Sequence, residues 1–225
     1  DYYASRGLGD VYKRQIPHPV TPFKDSIFKA SNHIHLAEDA VLMWGDIISV
    51  GRIHMKEAFE FDSLHTQTKI FRQGKLSFID NQLLRPKSQP IQKMLFFEGY
   101  THQATFVFSA LFAQELKYEL DEILTVEYND ISYGFTQASK DVVILRALGT
   151  DGELLYDFLH MLGQLCWDFT QYKLSEKKEE TTVEAIAEDE KSKAEEISVI
   201  EQRKPRRKSK PELMEAVVVE GTNYA

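Results

Sequence analysis

The sequence predicts a β-dominant α+β protein, and three observations predict it. Period-two alternation of apolar and polar residues recurs between Ser26 and Leu84, turn residues punctuate those runs, and helical spacing is confined to two stretches from Phe112 onward. Fourteen Phe, ten Tyr and two Trp in a 225-residue chain that is 43% hydrophobic supply enough apolar surface for a core. The expected arrangement is layered antiparallel sheets, closed by a C-terminal β-α-β-β-α unit with two amphipathic helices.

The elements follow in order. Phe28, Ala30, Ile34 and Leu36 fall on one face of the first run and Lys29, Ser31, His33 and His35 on the other, the pattern of a half-buried strand. Ala37–Ala40 turns the chain into a nearly continuous apolar strand, Val41–Val50, ended by Gly51. Met55, Glu57, Phe59 and Phe61 share a face in a third expected strand. Leu64, Thr66, Thr68 and Ile70 share one in a fourth. Arg72-Gln73-Gly74-Lys75 reads as a hairpin turn in which Gly74 is free to take positive φ, and Leu76–Leu84 returns as a strand.

Further on, Ala104–Leu111 reads as a buried strand, and Phe112, Leu116, Leu120, Ile123 and Leu124 have helical spacing. Two strands are expected at about 125–136 and 141–148. Leu154, Leu155, Phe158, Leu162, Leu165, Cys166 and Phe169 then line one helical stripe, opened by a Thr150-x-x-Glu153 capping box.

Composition divides the chain at residue 173. All aromatics but Tyr224 precede Leu174. Residues 176–201 carry ten acids against four lysines, and residues 203–210 carry six basic residues and no acid. A charge-dense segment without aromatics cannot bury enough surface to offset its ordering entropy, so 174–225 is expected to be a flexible tail whose acidic half is able to form a transient helix. Residues 1–15, DYYASRGLGDVYKRQ, lack periodicity and resemble an adapter-derived run at RGLGDVYKRQ. They are set aside as non-native, which leaves 16–173 as the folded body.

Several chemistries are excluded or weakened. A net charge of −8 argues against a nucleic-acid-binding body. The longest apolar runs fall short of the roughly 20 residues a membrane helix needs. The single cysteine, Cys166, precludes an internal disulfide and lies on the apolar helical stripe, where burial makes a thiol inert. No phosphate loop, zinc-protease helix or nucleophile elbow is present. His33 and His35 share one strand face at a usable metal-ligand spacing, but two ligands without a third rarely hold a metal. Glu57, on an otherwise apolar face, must find a partner or give up its charge, and Arg52 is available as a structural ion-pair partner. With no converging nucleophile, base and orienting group, the residues favour a binding or scaffold protein over an enzyme.

One stretch carries a resemblance. WGDIISVGRIHMKEAF, Trp44–Phe59, resembles the urease accessory protein family UreD, also called UreH, at Trp44, Asp46, Gly51, Arg52, Glu57 and Phe59. The proline-rich lead-in at Pro17, Pro19 and Pro22 is similar, and so is ILRALGTDGELLYDFL, including Arg146 and Leu148. The likeness covers about 16–172. A further N-terminal portion of the family, with a Gly-Gly-Asp strand region, has no counterpart here. The resemblance implies a cytoplasmic, non-enzymatic scaffold that docks on apo-urease, UreF and UreG and supports delivery of nickel. No cofactor would be tightly bound, and neither nucleic acid nor membrane would be a partner. His33, His35, Asp46 and Glu57 are then candidates to line a transient nickel path, because ligation that is too tight would trap the ion. Two alternatives remain open at this point. One is a β-sandwich interaction domain unrelated to urease, and the other is a hydrolase using Asp46, Glu57 and a histidine.

Overall fold

The computed structural model describes residues 12–93, 96–125, 128 and 130–202. The elements are β1 (Tyr12–Gln15), β2 (Ile27–Leu36), β3 (Val41–Ser49), β4 (Ser63–Arg72), β5 (Lys75–Leu84), β6 (His102–Ser109), α1 (Ala113–Ile123), β7 (Ile131–Ser139), β8 (Val142–Gly149) and α2 (Gly152–Gln202). A five-stranded sheet has the order β1-β3-β6-β8-β7, and a three-stranded sheet the order β2-β4-β5. The β-dominant α+β class is as expected. The hairpin at 72–75 forms as read, with Gln73 and Gly74 both at positive φ (49° and 74°).

The sheets are mixed rather than antiparallel throughout, because β1 pairs with β3 and β2 with β4 in parallel register. β1 and β3 run parallel because β2, between them in sequence, lies in the other sheet, and β2 and β4 run parallel because a strand expected between β3 and β4 does not form. Residues 55–61 were expected to extend, yet Ile53–Met55 is a 3-10 turn and Lys56 and Phe59 take positive φ (60° and 61°), values an extended strand cannot hold. The chain therefore passes from β2 in one sheet to β3 in the other and back to β4 beside β2. Successive legs in the same sheet point the same way.

Three layers result. Alternation along β3, β6 and β8 sends Met43, Ile47, Phe106, Phe108, Val143 and Leu145 toward the helices, where Leu116, Leu155, Leu159, Leu162 and Cys166 complete one core. The opposite residues face the smaller sheet in two clusters. Leu42, Ile70, Val107, Val142 and Ile144 form one, and Ile48, Val50, Phe61, Leu64, Leu84 and Phe97 the other. Cys166 is fully buried, and burial pushes its thiol up to about 12.

Boundaries differ from expectation in several places, and the strand expected at about 125–136 is β7, Ile131–Ser139. α2 is capped by Asp151, whose Oδ1 accepts from the backbone N–H of Glu153 (2.8 Å) and Leu154 (3.1 Å), in place of Thr150. Tyr12–Gln15, set aside as non-native, is an edge strand in the larger sheet. Helix α2 continues past residue 173 to Gln202. The chain divides into one unit through Leu174 and another from Ser175. In the second, Thr182 Oγ1 donates back to the Lys178 carbonyl at 2.8 Å. Residues 1–11, with Gly7 and Gly9, and the basic run 203–210 lie outside the described residues.

Candidate functional site

Between the two inter-sheet apolar clusters runs a polar seam. Register sets it up: Asp46 on β3 is opposite Thr105 on β6, and Thr105 is opposite Arg146 on β8. Asp46 lies two residues from Trp44, and so shares its face toward the smaller sheet. That sheet presents Thr68 opposite Asp80 and Thr66 opposite Gln82. Thr66, Thr68 and Thr105 are buried.

The seam is hydrogen-bonded across both sheets. Arg146 Nη2 donates to Asp80 Oδ1 at 2.6 Å. Gln82 Nε2 donates to Asp80 Oδ2 (2.9 Å) and to Thr105 Oγ1 (3.3 Å), and Gln103 Nε2 donates to Gln82 Oε1 (2.7 Å). Asn32 Nδ2 donates to Thr68 Oγ1 at 3.1 Å. Asp46 is treated differently. Burial and the negative charge of Asp80 push its carboxyl up to about 6, against a smaller opposing effect of the Ile47 backbone N–H. Trp44 Nε1 is buried and has no hydrogen-bond partner among the described residues. At one end the seam meets an open cleft of about 480 Å3 whose walls include Gln103, Ser132, Arg146, Phe96 and Leu148.

The motif loop is a separate feature. Gly51 has φ +127°, and a Cβ there would collide with the Glu57 carbonyl oxygen, so only glycine fits. Arg52 reaches forward as a fork, with Nε to Glu57 Oε2 and Nη2 to Glu57 Oε1, both at 2.7 Å. Its guanidinium also lies 4.5 Å from the centroid of the Phe23 ring. The hydrogen bonds from Arg52 hold the Glu57 carboxyl below its ordinary range. The ion pair expected for Glu57 is therefore present, although the face it was read from is a turn. Phe59 closes the loop through its N–H to the Val50 carbonyl (2.7 Å) and packs edge-on against Phe97.

The four candidate ligands do not converge. His33 and His35 are exposed on the outer face of β2, where His35 stacks on Phe71 at 4.8 Å. Asp46 lies in the seam, and Glu57 is engaged by Arg52. The hydrolase constellation of Asp46, Glu57 and a histidine has no common centre in this arrangement. Among the described residues no group of three or more His, Cys, Asp or Glu is placed to hold a metal ion. Sequence reasoning missed Asp80, Gln82 and Gln103. The available signal was that Asp80 and Gln82 alternate with Phe78 and Leu84 on the inward face of β5.

A three-layer α+β body with a polar seam between its sheets and a braced surface loop defines a layered, β-dominant class of protein. The sequence profile of the family described as UreD urease accessory protein matches residues 13–179. The urease accessory protein UreD of Acetivibrio thermocellus is 31% identical over 169 residues, covering 73% of this chain and 63% of that protein. Its namesake from Flavobacterium johnsoniae is 33% identical over 168 residues, covering 74% and 60%. UreH of Helicobacter pylori strain HPAG1 is 36% identical over 112 residues, covering 48% and 42%. The chain belongs to the UreD family of urease accessory proteins. It spans about three fifths of the length of the UreD relatives it matches.

Proposed function

We propose that this protein is a non-catalytic scaffold of urease maturation. It docks on apo-urease and on the accessory proteins UreF and UreG in the cytoplasm, and it gives nickel a transient path along the polar seam. One observation carries the reading: Asp46 and Asp80 lie between the sheets with Arg146 engaging Asp80 alone, and the seam ends in a cleft. A carboxylate whose proton leaves near pH 6 accepts a divalent cation by losing that proton and releases the cation by regaining it. The surrounding hydroxyl and carboxamide oxygens are weak ligands that let a hard or borderline ion move on. Among the described residues no helix is long and apolar enough to cross a membrane. Of the four candidate ligands, Asp46 is the one on the proposed route.

The test is urease activation in a reconstituted mixture of apo-urease, accessory proteins and nickel, comparing the native chain with Asp46→Asn. Nickel bound per urease, read by elemental analysis, should fall at least several-fold while co-purification with the accessory proteins is retained. Full nickel loading with Asp46→Asn would remove the path from the proposal. Loss of co-purification would place the defect in assembly. Glu57→Ala, outside the seam, serves as the comparison and should load more nickel than Asp46→Asn.

A further inference from the structure

The outer face of the smaller sheet, on the far side from the seam, combines two features. The first is charge of one sign. β2, β4 and β5 contain a single acid, Asp80, and that side chain turns inward to Arg146, so none of the three strands carries an acid onto the outer face. Lys29 and Lys69 stand on that face with no ion-pair partner among the described residues. Lysines at the rim of the sheet are matched, Lys24 by Glu60 and Lys87 by Asp25 and Asp62. The second feature is apolar. Leu76, Ile79 and Leu83 run along β5 and are 53%, 47% and 38% exposed. Register sets the two side by side: Lys69 is opposite Ile79, and Lys29 and Leu83 flank His65 in one row.

We propose that this face is the docking site for one acidic amphipathic helix of a partner protein, lying along the strands with its apolar stripe on β5 and its carboxylates over Lys29 and Lys69. Dimensions favour a helix, since three strands at about 4.8 Å spacing offer a strip about 10 Å wide, the width of one helix. The far face of the larger sheet is covered in this way by α1 and α2. Charge selects the sign. A face that stays in water ordinarily intersperses acids and bases, and this one holds only bases in a chain of net charge −8. It therefore attracts an acidic partner and repels a basic one. Spacing selects the pattern. Lys69 is in register with His33, four residues beyond Lys29. The two lysines are thus about 13 Å apart along the strands, which is about nine residues of helix at about 1.5 Å each. Carboxylates about two and a half turns apart on one flank of the helix meet both. The inference goes beyond the nickel path and does not rest on it, because the face and the seam are opposite sides of the same sheet.

The test uses the full chain and labelled eighteen-residue stapled helices: one with a leucine stripe and glutamates, one with the same stripe and lysines, and one of the first composition with its leucines scattered over all faces. Anisotropy should show the striped Leu/Glu helix binding at least ten-fold more tightly than either of the others. The double variant Lys29→Glu/Lys69→Glu, changed only at the surface, should lose at least ten-fold for the Leu/Glu helix and gain at least ten-fold for the Leu/Lys helix. A gain of binding cannot come from misfolding. Ile79→Ser should weaken both striped helices. Equal binding of the Leu/Glu and Leu/Lys helices, indifference to the double variant, or equal binding of the scattered helix would each overturn the proposal. Tighter binding of an oligothymidine of similar length, lost in the double variant, would overturn it in favour of a nucleic acid. A change of oligomeric state caused by the double variant without peptide would overturn it in favour of a second copy of this chain.

Discussion

Two arginine–aspartate pairs join the smaller sheet to the larger one, and they are built in opposite ways. Arg72, at the end of β4, donates Nε to Asp141 Oδ2 (2.8 Å), Nη2 to Ser109 Oγ (2.8 Å), and Nη1 to the carbonyls of Ala37, Glu38 and Ala40 (3.1, 2.7 and 2.9 Å). Asp141 accepts in addition from Ser77 (2.7 Å) and Ser139 (2.9 Å). Both side chains are enclosed, 10% and 19% exposed. Arg146–Asp80 is looser: its arginine is 44% exposed at a cleft, and a second carboxylate, Asp46, stands near with no arginine of its own. A pair whose capacity is fully used braces the fold. A pair that leaves an acid uncompensated inside the protein keeps a chemical capacity at a cost in stability.

The largest expected effect lies at the saturated pair. Arg72→Met should destabilise the protein by about 3–5 kcal/mol in urea denaturation, since it strands Asp141 and three carbonyls. Arg72→Lys should recover only a minor part, because one ammonium cannot reproduce the fork. Arg146→Gln removes a more exposed partner and should cost about 2 kcal/mol. Equal losses at the two arginines would erase the distinction between brace and seam.

The two aspartates should respond to pH with opposite sign. Burial acts to raise the Asp141 carboxyl, but hydrogen bonds from Ser77, Arg72 and Ser139 outweigh it, and its pKa lies below the ordinary value. Its stabilisation is present above the unfolded-state value and is lost as pH falls through the depressed native value. Asp46, raised to about 6, binds its proton more tightly in the fold than in the unfolded chain. Stability therefore declines as pH rises from about 4 to about 6 on its account. Asp46→Asn should stabilise at pH 7 by on the order of 1–2 kcal/mol, with the gain vanishing near pH 4. Asp141→Asn should destabilise at pH 7. Denaturation midpoints of both variants across pH 4–8 provide the check, and a shared sign would sink the comparison.

Most strands of the body and both helices were legible because burial in them follows simple periods: β2 alternates throughout and β4 over Ser63–Ile70, and Leu155, Phe158, Leu162 and Cys166 recur on one face of α2, whereas the strand expected at about 125–136 begins only at Ile131. The parallel pairing of β2 with β4 was not legible. It depends on residues 53–62 forming a turn, and Met55-x-Glu57-x-Phe59-x-Phe61 alternates as a strand would. The decisive facts there are the positive φ of Lys56 and Phe59 and the reach of Arg52 to Glu57, neither of which has a periodic signature. Asp46 was visible through its motif. The seam around it was not, because Asp80 and Gln82 become neighbours of Asp46 only when the two sheets are stacked, and Gln103 is brought near only by the β3–β6 register.

The Arg52–Glu57 fork gives the comparison its third point. Its geometry matches the best of the sheet-bridging contacts, yet it lies within one loop, five residues apart, with arginine and glutamate 41% and 18% exposed. Solvent screens such a pair, and its bonds join groups that the loop backbone already holds close through Phe59 N–H to Val50 O and Glu57 N–H to Arg52 O. Glu57→Gln should therefore cost less than about 1 kcal/mol, and the cost should shrink further in molar salt. A loss as large as that of Arg72→Met would mean that ideal fork geometry sets the strength of these pairs. A small loss would assign it to enclosure and to the number of otherwise unsatisfied groups each arginine serves.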